Sequence, residues 1–328
     1  MAAHKQPIGV LFPGQGSQYP GMSKILIEHF PWTKTLFEEA SDAIRVDLLK
    51  LSLQGPSEEL QLTANAQPSI LVTSYAWYQV LHKTLGFRPA AGAGHSLGEY
   101  SALVSSQALS LFDAVTLVRK RGELMQFAVP AGKGKMSAVI GLDDDKVKDI
   151  CNAASTGNDC LVVPANFNAP SQVVIAGHAA GVDRFAKLAN GSDNPHWKAR
   201  KIIPLNVSAP FHCPLMADTA NAFLPFLEKI NWSDPQFPIV SNLDAKLRNT
   251  GNVSSILKDQ IDHPVLWTSC VQTLERHGIK TYIEMGPSRV LSGLVKRIVE
   301  GASTLSIDSL EDFQKLESFL KETQNAAS

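Results

Sequence analysis

Short apolar runs alternate with longer amphipathic stretches along this chain. Ile8 to Phe12 is a five-residue apolar run that reads as a first strand, followed by the glycine loop Pro13-Gly14-Gln15-Gly16-Ser17-Gln18 and a helix over 22–30. Helical patterning continues from Trp32 to Leu53, and after the turn Gly55-Pro56 the residue Ser57 is placed to cap another helix. Ser69 to Leu85 has the spacing of a mostly buried helix ending at Gly86. The small, weakly apolar stretch Pro89 to Ala93 reads as a buried strand, and two helical stretches follow it to about Ala128.

From Lys135 the rhythm changes. Met136–Ile140, Leu161–Val163, Gln172–Ala176 and Arg200–Ile203 read as strands, with helices over 144–154 and 180–189 and a turn-rich link at Asn166-Phe167-Asn168-Ala169-Pro170. That order, βαββαβ, is the ferredoxin-like unit. The fold class predicted is therefore α/β: a larger α/β-hydrolase-like domain with a parallel sheet (residues 1–132 and 204–328) carrying an inserted ferredoxin-like subdomain (133–203). The last third predicts a helix over 214–230, strands at 237–241 and 281–285, and an amphipathic helix over 309–322.

Composition narrows the class. Of 328 residues, 44% are hydrophobic and 19% charged, as in a soluble globular protein, and a net charge of −1 argues against a general nucleic-acid binder. No run approaches the roughly 18 apolar residues of a membrane span, and the run after the N-terminus is too short for a signal-peptide core. The four cysteines show no C-x-x-C spacing, so neither a zinc site nor a redox pair is indicated, and a reducing cytoplasm is expected.

The chemistry concentrates at Gly94-His95-Ser96-Leu97-Gly98. G-x-S-x-G between a strand and a helix is the pattern of a nucleophile elbow, whose glycines relieve crowding and whose helix N-terminus offers N–H groups to an oxyanion. The competing reading is a small-residue turn with an N-capping serine. A serine nucleophile needs a general base. His95 adjoins Ser96 and points to the other face of a strand, so it is no base and reads as a histidine that packs or that supports a site residue. His4, His29, His82, His196 and His277 read as solvated, and His178 as part of a turn. His212 lies in a proline-bracketed loop, where either a catalytic or a structural role is open. Leu97 and the loop Gly14-Gln15-Gly16 can supply oxyanion N–H donors; the loop fails the G-x-G-x-x-G spacing of a dinucleotide site. Arg121 can clamp a carboxylate, or Arg119, Lys120 and Arg121 can together be a solvated helix end.

These residues carry a resemblance. Phe12 to Gln18, Ala66-Gln67-Pro68, Gly94 to Leu103, Arg121 to Gln126, Asn166-Phe167-Asn168, the loop ending at His212, Pro264-Val265-Leu266-Trp267 and Glu284 to Pro287 resemble, in order, the motifs of the malonyl-CoA:acyl carrier protein transacylase family. The resemblance implies transfer of a malonyl group from coenzyme A to the phosphopantetheine thiol of an acidic carrier protein, through an ester on Ser96. It implies His212 as base in a dyad, oriented by a backbone carbonyl, with Gln15 and Leu97 N–H groups as the oxyanion hole. Arg121 is then the malonyl carboxylate ligand, and Phe211, Gln67 and Asn168 join it as substrate-binding residues. No metal and no resident cofactor is implied, and a cytoplasmic monomer serving fatty-acid synthesis is expected. A polyketide-synthase acyltransferase acting in trans and a serine esterase or thioesterase are the alternatives. Bacterial members often carry Gln where this chain has Leu266, whose carbonyl is expected to hold the histidine still. Lys198, Arg200, Lys201, Lys296 and Arg297 are the candidates to face the carrier, with ordinary solvated charge the open alternative for each.

Overall fold

The computed structural model describes residues 7–130, 132–157, 159–192, 194–250, 252–307 and 309–325. His4 lies outside them. Among the described residues ten strands follow in chain order: β1 (Ile8–Phe12), β2 (Ala91–Gly94), β3 (Gly134–Ile140), β4 (Val162–Ala169), β5 (Gln172–His178), β6 (Lys201–Pro204), β7 (Ile239–Val240), β8 (Leu247–Arg248), β9 (Thr281–Glu284) and β10 (Ser303–Ser306).

Six of them form one sheet in the order β10-β9-β1-β2-β7-β8, parallel throughout except at the β7–β8 edge. β1 sits inside it and every residue of β1 is buried, as expected of a parallel strand covered on both faces. The other four make an antiparallel sheet in the order β4-β5-β3-β6, the ferredoxin-like arrangement that the βαββαβ order predicts. One face of this small sheet buries Val139, Val173 and Ile175 against Val147, Ile150, Val182 and Phe185 of its two helices. The other face sends Met136, Ala165, Val174 and Ala176 into the main core beside Phe211, Met125 and Leu97. The chain is thus mixed α/β with an inserted antiparallel unit.

Several element boundaries differ from the pattern, each for a local reason. The stretch 32–53 breaks into helices Lys34–Ile44 and Leu48–Gln54, because Arg45 turns left-handed and Asp47 caps the second helix through the Lys50 N–H. Ser57 is the first helical residue and not its cap; Pro56 occupies that position. The helix expected from Ser69 starts at Thr63 and holds Pro68 inside it. Proline leaves the carbonyl four residues earlier without its helical donor, and here Arg119 Nη1 reaches that Ala64 carbonyl at 3.1 Å. Asn166 to Ala169 is strand, bulged at two points in its pairing with β5, rather than turn. The stretch 237–241 contributes two strand residues, and Ser303–Ser306 is an unforeseen edge strand. No helix among the described residues is long and apolar enough to cross a membrane.

Candidate active site

The stretch from β2 to the helix Leu97–Ser105 turns at Ser96, whose φ of 51° and ψ of −102° are strained for a residue with a side chain. Two glycines make the turn possible. A Cβ on Gly94 would lie 1.9 Å from the Gly98 carbonyl carbon, and one on Gly98 would lie 2.0 Å from the Phe12 carbonyl oxygen. The helix therefore starts directly against β1 and β2, and holds Ser96 out at the strand end. Asn242 locks the bend: its Oδ1 accepts the Ser96 N–H at 2.6 Å and its Nδ2 donates to the Gly94 carbonyl at 2.7 Å.

His212 enters from the loop after β6, also at positive φ (58°). Its Nε2 lies 2.8 Å from Ser96 Oγ, and its Nδ1 lies 2.8 Å from the backbone carbonyl of Gln260. A carbonyl only accepts, so a neutral His212 carries its proton on Nδ1 and leaves Nε2 free to accept from the serine hydroxyl. Burial, and then the Arg121 charge, push the imidazole far below its ordinary value, to about 3. His212 is thus neutral near pH 7, the form a base requires. The carbonyl that holds it is not that of Leu266, as expected from the sequence. Leu266 caps the helix Trp267–Arg276, and its N–H bonds the Asn242 carbonyl.

Arg121 parts company with its neighbours on the helix Leu111–Gln126. Arg119 and Lys120 pair with Glu123 at the surface, whereas Arg121 is 1% exposed and lies over the Tyr100 ring. The solvated-helix-end reading fails for it because Gly122 brings this helix against Thr63 and Ala64, where a Cβ would come within 2.7 Å of the Thr63 carbonyl. The guanidinium donates to Gln67 Oε1, to Gln260 Oε1 and to Ser96 Oγ, each at 3.0 Å. All three partners are neutral, so a buried cation sits beside the serine without a carboxylate in contact.

A cleft of about 400 Å³ opens over Ser96 between the two sheets. Gln15, His95, Leu97 and Arg121 line it from the large sheet's side, Met136 and Asn166 from the small sheet's, and Leu205, Phe211 and His212 from the connecting loop. The N–H groups of Gln15 and Leu97 donate to no backbone acceptor among the described residues. The loop holding Gln15 packs on the elbow, since a Cβ on Gly14 would be 2.5 Å from the His95 carbonyl. Gln67 and Asn168 do not line the cleft. Gln67 is buried beneath Arg121, and Asn168 Oδ1 bonds His95 Nε2 at 2.8 Å, so each is occupied with another site residue. Of the surface cations named from sequence, Arg297 is engaged with Gln172 and with the Pro170 carbonyl across to β5 and its turn.

Sequence reasoning missed Asn242 and Gln260. Gln260 Nε2 also donates to the Ser96 carbonyl at 3.2 Å and to Glu99 Oε2 at 2.7 Å. Neither residue sits in a recognisable pattern: Asn242 follows the short apolar run Ile239-Val240, and Gln260 stands among the polar residues Lys258, Asp259 and Asp262 with no local signal.

Comparison with known proteins agrees with this geometry. An acyl transferase domain model matches residues 10–320. The malonyl CoA-acyl carrier protein transacylase of Escherichia coli K12 is 43% identical over 303 residues, covering 92% of this chain and 95% of that protein. That of Bacillus subtilis 168 is 41% identical over 98% of this chain and 99% of its own length. The crystal structure of the Xanthomonas oryzae malonyl-CoA:acyl carrier protein transacylase superposes with a TM-score of 0.90 at 42% identity, covering 96% of this chain and 98% of that one. A malonyl-transacylase solved in complex with a type II polyketide acyl-carrier protein gives 0.90 at 40% identity, covering 95% and 99%. With the elbow, the histidine and the buried arginine converging on one oxygen, the chain belongs to the malonyl-CoA:acyl carrier protein transacylase family of acyltransferases.

Proposed function

We propose that this protein takes the malonyl group of malonyl-CoA onto Ser96 and passes it to the phosphopantetheine thiol of an acyl carrier protein. The observation that carries the reading is the convergence at Ser96 Oγ of His212 Nε2 at 2.8 Å and Arg121 at 3.0 Å. His212 accepts the hydroxyl proton as Oγ attacks the thioester carbonyl, and gives it to the departing coenzyme A sulfur. The carrier thiol then loses its proton to His212, attacks the ester and collects the acyl group, and the proton returns to Ser96. This is ping-pong covalent catalysis. The Gln15 and Leu97 N–H groups stabilise the tetrahedral oxyanion, and Arg121 binds the free malonyl carboxylate while Phe211 bounds the acyl pocket. A buried cation with only neutral partners favours an anionic acyl group, because the carboxylate supplies the missing counter-charge.

Residues 1–132 and 204–328 form the catalytic part in this reading, and 133–203 the wall that keeps water from the ester. No cofactor enters the chemistry, and the enzyme acts as a cytoplasmic monomer on an acidic carrier. A hydrolase reading needs a carboxylate against His212 Nδ1, where a backbone carbonyl sits instead. Likeness to a malonyl-transacylase solved with a polyketide carrier supports a second reading that differs only in the acceptor. Acyl-enzyme mass spectrometry with malonyl-CoA tests the proposal, followed by transfer to fatty-acid and polyketide carriers. A Ser96→Ala variant that still gains the adduct would sink the nucleophile. Arg121→Ala is expected to lose malonyl transfer about 100-fold more than acetyl transfer, the worth of a charged hydrogen-bond pair; equal losses would refute the clamp.

A further inference from the structure

Glu99 is a buried carboxyl, 2% exposed, three residues past the nucleophile, and the mechanism above gives it nothing to do. Its Oε2 accepts from Gln260 Nε2 at 2.7 Å and from the Asn242 backbone N–H at 3.0 Å. Burial pushes its ionisation up, while those two hydrogen bonds favour the anion.

The Gln260 amide lies between two buried groups of opposite preference. Its nitrogen faces Glu99 and the Ser96 carbonyl, both acceptors, and its oxygen faces the Arg121 guanidinium at 3.0 Å, a pure donor. Turned over, the amide would set its NH₂ against the guanidinium and its oxygen against the Glu99 carboxyl. The same residue holds His212 through its backbone carbonyl.

We propose that Glu99 is a positioning residue that fixes the orientation of the Gln260 amide, and thereby the presentation of Arg121 to a carboxylate-bearing acyl group. It is a specificity determinant that touches no substrate. The arrangement is a relay with an amide in the middle: Glu99 accepts from its nitrogen and Arg121 donates to its oxygen, so the guanidinium makes no direct salt bridge that would compete with the substrate. The inference rests on the site reading given above.

Two variants separate the hydrogen bond from the charge. Glu99→Gln keeps an acceptor oxygen of the same reach without the charge. Glu99→Asp keeps the charge and withdraws the acceptor by one methylene. Acylation of Ser96 is measured as kcat/KM with malonyl-CoA and, separately, with acetyl-CoA by quenched-flow mass spectrometry, with a thermal melt to verify folding. The malonyl-to-acetyl ratio is expected to fall by about tenfold or more in Glu99→Asp and to stay within about threefold of wild type in Glu99→Gln. A merely structural role would lower both substrates together; an unchanged ratio in folded Glu99→Asp overturns the proposal. So does an equal fall of the ratio in Glu99→Gln. Should Glu99→Asp not fold, Glu99→Met removes the acceptor at nearly the same length and carries the same expectation. Wild-type protein that gains no malonyl group on Ser96 would instead refute the site reading itself.

Discussion

Three residues meet at one hydroxyl, and each is held against its own inclination. Ser96 and His212 keep backbone angles that side chains disfavour, at about 1–3 kcal/mol each, and Arg121 keeps a charge out of water. His212 shows what this does to proton chemistry. Its ionisation falls from the ordinary 6.5 to about 3, so the folded protein refuses a proton that the unfolded chain accepts. Above pH 6.5 both states hold a neutral imidazole and the residue adds no pH dependence. As pH drops from 6.5 toward 3 the unfolded state is protonated first, and stability is lost. Between pH 7 and 5 wild type should lose about 2 kcal/mol more than His212→Gln, which does not titrate. Urea unfolding at the two pH values checks this, and parallel losses would refute the neutral buried imidazole. Ser96, His212 and Arg121 were legible because each belongs to a contiguous motif. Asn242 and Gln260 were not: they reach Ser96 across 146 and 164 residues of sequence, and only the folded chain brings them there.

The elements explain why the motif needs its glycines. Strand β2 and the helix Leu97–Ser105 meet with no room for a methyl group at Gly94 or Gly98, and the obstructing atoms are backbone, which cannot rotate aside. Gly98→Ala should therefore cost about 3 kcal/mol or more and also lower acylation of Ser96, since the helix must lift off β1. Gly293 is the control. It lies in the helix Val290–Ile298 with nothing within 4 Å of an added Cβ, so Gly293→Ala should be neutral or stabilise by up to about 1 kcal/mol. Calorimetric melting of the two variants decides the matter, and a Gly98→Ala protein as stable as wild type would refute the close contact. Short uninterrupted apolar runs made the buried strands readable in advance, and their alternation with amphipathic stretches gave the βαββαβ order. Boundaries failed where a polar or proline residue was rescued by a distant partner, as Pro68 is by Arg119. They failed also where Asn166 and Asn168, turn formers by type, were drawn into the bulged strand β4 beside β5.

At the scale of the whole molecule the two sheets share a core as well as a cleft. Met136, Ala165, Val174 and Ala176 of the small sheet are buried in the same apolar cluster as Phe12, Ile70 and Tyr100. Backbone bonds cross between the units: Phe167 N–H to the Val265 carbonyl at 3.0 Å, and Val265 N–H to the Ala165 carbonyl at 2.9 Å. Side chains add to them, with Thr268 Oγ1 donating to the Phe167 carbonyl at 3.0 Å and His95 meeting Asn168 at 2.8 Å. Separating the units would expose apolar surface and leave these groups unpaired at the same time, so neither sheet has a cheap way to open alone. The protein is therefore expected to melt in one transition, with calorimetric and van't Hoff enthalpies equal. Native-state hydrogen exchange gives the sharper measurement, comparing slow amides of β3 and β5 with those of β1 and β9. Equal opening free energies would mean that the cleft walls rise and fall together, as a site built from both sheets requires. A small sheet that exchanges at markedly lower free energy, with the large sheet still protected, would show the insertion to be an independent unit and refute the shared core as the link between them.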